Sequence, residues 1–183
     1  MIDAAGGILI VTFRFLALAA TTGIFGAWLF GRLVVDRLIG DIGDRHRHSL
    51  HRFSVRVAIG CSAVLMLSTA ARLFAQAAAF TEPGDPLWPS VLSVLQTRWG
   101  WALVAQALTA TIVGVTLLFG RHGETWPRLS EAGVAALAVL PAYLGHAGAA
   151  GEWRAISVLV DVTHVAAAGS WVGALGLLTA TAL

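Results

Sequence analysis

Long apolar runs recur along the whole of this chain, at about 7–31, 55–80, 99–120, 129–146 and 155–181. About 20 apolar residues carry a helix across the hydrocarbon core of a bilayer, so runs of this kind leave little room for a soluble fold. Composition agrees: 57% of the residues are hydrophobic and 12% charged, against about 25% charged in an ordinary soluble domain. The mean hydropathy is +0.79. The pattern predicts an all-α, polytopic transmembrane bundle of five spans, one membrane domain over 1–183 with no internal boundary or repeat. The first run follows Asp3 rather than a basic segment and is too long for a signal-peptide core, so it reads as a retained span. The last ends "GALGLLTATAL", with no charged or aromatic residue to anchor an exit, so we expect the front part of a longer protein.

Charge in the connections sets the expected orientation. The first connection, "GRLVVDRLIGDIGDRHRHSLHRFSVR", holds Arg32, Arg37, Arg45, Arg47, Arg52 and Arg56, and the third holds Arg121 and Arg128. The second, "TEPGDPLWPSVLSVLQTR", carries Glu82 and Asp85 but a single arginine, Arg98. Positive charge marks the cytoplasmic loops, which places the N-terminus and the "GHAGAAGEWR" loop on the extracytoplasmic side. Residues 87–96 read as a short interfacial helix begun by Pro86 and Trp88. The net charge of +2 does not suggest nucleic acid as a partner, because the arginines sit mostly between spans. One cysteine, Cys61, excludes an internal disulfide and a paired-cysteine metal clamp, and reads as a small packing residue. The histidines His46, His48 and His51 read as part of a solvated basic loop. Trp28, Trp88, Trp99, Trp101, Trp126 and Trp153 read mostly as residues of the interfacial belt.

The informative residues are the polar ones inside the spans, since each is expensive there and needs a partner or a purpose. Arg14, Arg72 and His164 each lie about eight residues from the outer end of their span, hence roughly 12 Å deep at 1.5 Å per residue. Asp161, Gln76 and Gln106 fall slightly shallower, and His146 ends the fourth span. On the last helix, Asp161, His164, Ala168, Trp171 and Leu175 share one face at 100° per residue. Gly169, Gly173 and Gly176 share another, where a second backbone can approach closely. Asp161 is placed to hold one nitrogen of His164 and leave the other free, as carboxylates do for metal-bound histidines. Pro141 is placed to loosen the backbone ahead of His146. A plainer reading stands beside this: Asp161 neutralises Arg14 or Arg72, and the layer fixes helix packing.

Three segments resemble the copper resistance D (CopD) family of bacterial inner-membrane proteins. They are "LQTRWGWALVAQAL", "LPAYLGHAGAAG" and "VDVTHVAAAGSWVGALGLL", and the match covers 96–178. The resemblance rests on T-x-x-G-W at 97–101, G-H-A at 145–147, and D-x-x-H-x-x-A-x-x-x-W-x-G-x-L at 161–175. "WVGAL" replaces the commoner W-x-G-G-L, a change between small residues. Members usually have about eight spans, in keeping with a chain that continues. The resemblance implies copper handling, with His146 and His164 as metal ligands and a periplasmic copper-binding protein as a candidate partner.

Two further readings stay open at this stage. In one, the histidines are axial ligands of haem b in an electron-transfer protein, with Arg14 and Arg72 on the propionates. In the other, the chain is a non-catalytic membrane subunit. Imidazole suits copper, whereas the softer sulfur ligands that Cu(I) prefers are scarce here. No residue is assigned a catalytic role, and the chain is expected to bind and move copper across the membrane rather than act as an enzyme.

Overall fold

Continuous apolar sequence with few helix breakers gives long helices, and the computed structural model consists of them. It describes residues 4–38, 44–120, 127–145 and 151–182. Among these residues every regular element is helical. Helix α1 (Ala4–Leu29) passes into a wider, π-helical stretch (Phe30–Leu38), and α2 (Asp44–Phe80) follows. A short α3 (Leu87–Leu95) precedes α4 (Arg98–Phe119) and α5 (Arg128–Leu144). The last element is α6 (Arg154–Ala168), a π-helical stretch (Gly169–Gly173), and α7 (Ala174–Ala182). Among the described residues, four helical segments are long and apolar enough to cross a membrane: Gly7–Arg37, Arg45–Phe80, Arg98–Phe119 and Gly151–Thr181. This is a multi-pass membrane protein. The run at 129–146 forms α5, which has 17 residues among those described.

The first connection differs from its reading as a loop. Residues 30–38 and 44–56 are helical, because a helix that leaves the apolar layer keeps its backbone hydrogen bonds while its side chains solvate. With 37 residues, α2 is about 55 Å long at 1.5 Å per residue, far beyond the roughly 30 Å hydrocarbon core. Its basic first third therefore projects past the apolar layer. His46 and His48 are exposed there, and His51 is buried at 3% exposure. At this end of the bundle Arg32 Nε donates to Glu131 Oε1 (2.7 Å), and Asp36 accepts from Arg47 (3.4 Å), which ties the π-helical stretch after α1 to α2 and α5.

Around the bundle, α1 packs on α2, α2 on α4, α4 on α5, α5 on α6, and the segment after α6 returns to α1. The core that these faces share includes Ile24, Phe30, Leu65, Val113 and Leu137, each at most 1% exposed. Between apolar helices in lipid, close backbone approach substitutes for the hydrophobic effect. A Cβ on Gly23 would sit 2.6 Å from Cys61 Sγ, so the cysteine packs against α1 as expected. A Cβ on Gly173 would lie 2.6 Å from Gly26 Cα, and one on Gly169 2.8 Å from the Phe25 ring. The third glycine of that row does not take part. A Cβ on Gly176 would meet nothing within 4 Å, and Leu177 is buried instead. The π-helical stretch at Gly169–Gly173 adds a residue to its turn, shifting the following face by one position. The same shift leaves Trp171 and Leu175 at 79% and 60% exposure, so that face carries Asp161 and His164 but stops there.

Candidate functional site

A tight turn between α3 and α4 fixes one wall of the site. Thr97 caps α4, its hydroxyl accepting from the Gly100 N–H at 3.0 Å, a contact worth typically about 1 kcal/mol. Gly100 is required there, since a Cβ would fall 2.1 Å from the Val94 carbonyl oxygen. With that turn closed, Trp99 presents its ring to the Arg72 guanidinium, 5.7 Å from the ring centroid. Such a stack is worth about 0.5–2 kcal/mol and holds the arginine without neutralising it. The motif at 97–101 thus reads as cap, platform and close contact. The belt reading of Trp99 missed this role, although its spacing from Thr97 and Gly100 carries the signal. Trp88, Trp101 and Trp153 are exposed.

Arg72, Arg14, Gln106, Asp161 and His164 line one cavity of about 200 Å³, contributed by α1, α2, α4 and α6. Pro141 of α5 and Gly145 just beyond its end also line it. Four of the five predicted site residues therefore meet. Arg72 and Asp161 are half-buried, while Arg14 and His164 are exposed, so the cavity opens on their side. Gln106, 2% exposed, stands at the most buried part, its amide 3.4 Å from Thr69 Oγ1. Gln76 does not join them. It lines a second cavity with Phe80 and Val94, and Trp99 lies between the two, touching Arg72 on one side and this cavity on the other.

His146, the fifth predicted residue, lies outside the described residues, as do Arg121 and Trp126. The chain enters its loop at the cavity rim, where a Cβ on Gly145 would be 3.8 Å from Asp161 Oδ2. That carboxylate is directed toward the end of α5. Among the described residues no hydrogen bond joins it to His164, although the two share a face one turn apart. Nor, among the described residues, does it form an ion pair with Arg14 or Arg72, whereas Arg32 and Arg47 at the other end of the bundle are both paired. No group of three histidine, cysteine or acidic side chains able to hold a metal occurs among the described residues. Chemically the described residues of the cavity offer one imidazole, one carboxylate, one amide and two guanidiniums, with no thiol or thioether among them.

A family model described as copper resistance protein D-like, N-terminal domain, matches residues 1–156. The matched stretch takes in Arg14, Arg72, the 97–101 motif and His146, and ends before Asp161 and His164. No curated protein and no solved structure gives a significant match.

Proposed function

The chain belongs to the copper resistance protein D-like family, and from that premise we propose a copper-homeostasis protein of the bacterial inner membrane that binds copper on the extracytoplasmic side and passes it inward. The observation that carries this reading is the convergence of Asp161 and His164 with Arg14 and Arg72 on one small cavity. In it His164 and His146 are the copper ligands, and Asp161 supplies the negative charge beside them. Asp161 reaches the imidazole by swinging away from Gly145, and copper binding would favour that swing by making the imidazole a stronger donor.

Size favours an ion over haem. A cavity of about 200 Å³ falls below the roughly 300–1,000 Å³ of pockets that accept organic ligands. Alternation of arginine between the connections puts the Arg32–Glu131 end in the cytoplasm and the cavity toward the outside, N-terminus out. This topology uses α5 as a fifth span. Its 17 residues meet the lower limit for a crossing. It also suits an eight-span parent in which further helices cover the exposed faces of α6 and α7. A periplasmic copper-binding protein would deliver the metal, and the protein would act as a carrier rather than an enzyme. Metal analysis and an absorption spectrum of the purified protein test the reading together. Bound copper without a Soret band supports it, a Soret band indicates haem, and neither signal indicates a packing layer alone.

A further inference from the structure

The two intramembrane arginines are treated differently from those at the other end of the bundle. There, half-buried Arg32 is paired with Glu131 and Asp36, and Arg47 with Asp36. Among the described residues, Arg14 and Arg72 have no ion pair in the cavity, and Asp161 is the one carboxylate that lines it. Positive charge therefore exceeds negative in a low-dielectric place where uncompensated charge is costly. Trp99 stacks on Arg72 without removing its charge. A bare copper cation would add to the excess, which sets the family's cargo against the cavity's electrostatics.

We propose that the cavity binds a small monovalent anion, chloride or a short carboxylate, between Arg14 and Arg72, and that copper occupies the Asp161–His164 side together with it. The anion restores charge balance and supplies the copper ligand that the sulfur-poor cavity lacks, so the cargo is a copper–anion complex rather than the naked ion. Guanidiniums suit this role, since their donors match chloride as well as carboxylate oxygens. Gln106 adds amide hydrogen-bonding capacity at the buried end. The copper half of the proposal rests on the reading above; the anion half stands without it.

The test uses the full chain in detergent, copper-free, with sodium isethionate as the bulky background anion at constant ionic strength. Chloride-35 NMR line broadening reports chloride binding, and added formate tests whether a carboxylate competes for the same place. Wild type should broaden the line, and formate should reverse it if carboxylates share the site. Arg14→Gln and Arg72→Gln should each weaken binding at least about tenfold, whereas Asp161→Asn should tighten it severalfold by removing the competing negative charge. Absence of protein-dependent broadening in wild type, or broadening in both arginine variants undiminished from that of wild type, overturns the proposal. Copper binding measured in isethionate and in chloride separates the two readings. Copper bound equally in both, with no chloride broadening, defeats the anion and leaves the copper reading standing. Chloride bound by a protein that takes no copper does the reverse.

Discussion

Replacing Gly173 by alanine perturbs the contact that holds the π-helical stretch after α6 against α1. The added Cβ would stand 2.6 Å from Gly26 Cα and 2.7 Å from the Thr22 carbonyl oxygen, both backbone atoms that cannot rotate away. Restoring carbon–carbon separations of about 3.5–4.0 Å requires the two helices to part by roughly 1 Å. Overpacking of this kind costs about 1–3 kcal/mol, and the better helix propensity of alanine returns about 0.5–1 kcal/mol. Gly176→Ala is the control, because its Cβ would meet nothing within 4 Å; it should leave stability unchanged or raise it slightly. Thermal unfolding in detergent measures both. At about 2–4 °C per kcal/mol for a chain of this size, Gly173→Ala should lower Tm by several degrees and Gly176→Ala should not. The displacement also carries Asp161 and His164 away from Arg14, so copper affinity should fall with Tm. Equal melting temperatures for the two variants would refute the close-approach argument and the shift in face attributed to the π-helical stretch.

Thr97→Val removes the acceptor for the Gly100 N–H; it should cost about 1 kcal/mol, read as a lower Tm, and loosen the Trp99 platform. Asp161→Asn should weaken copper binding about 10–100-fold, as loss of a partner that orients or supports a metal ligand commonly does, measured by competition with a chelator. A reporter fused after Trp153 should be active outside the cytoplasm; activity confined to the cytoplasm would invert the orientation and move the entry side.

The long helices were legible because membrane-spanning sequence is written in length and apolarity, and the four longest segments coincide with predicted spans. The shared cavity was legible for a related reason: Arg14, Arg72, Asp161 and His164 are costly in lipid, and rise per residue alone puts them at similar depth. Rotation about the helix axis was harder to read. Gln76 lies one turn from Arg72 on α2, yet it faces another cavity because a side chain from α4, Trp99, divides them. The face of the last helix was followed through His164 and lost after it, since a π-helical turn shifts the phase and no residue pattern announced it. The Asp161–His164 hydrogen bond was inferred from spacing on one helix, whereas the carboxylate lies beside Gly145 of another. Contacts between helices decide such details, and they are not written in the periodicity of either helix.

Copper titration of the full chain and its histidine variants bears most directly on the proposed site. Wild type should bind copper at a defined stoichiometry, with His164→Ala losing it and the double variant His146→Ala, His164→Ala showing none. Full copper binding by that double variant, at wild-type affinity, would contradict the assignment and leave both histidines with a packing role alone.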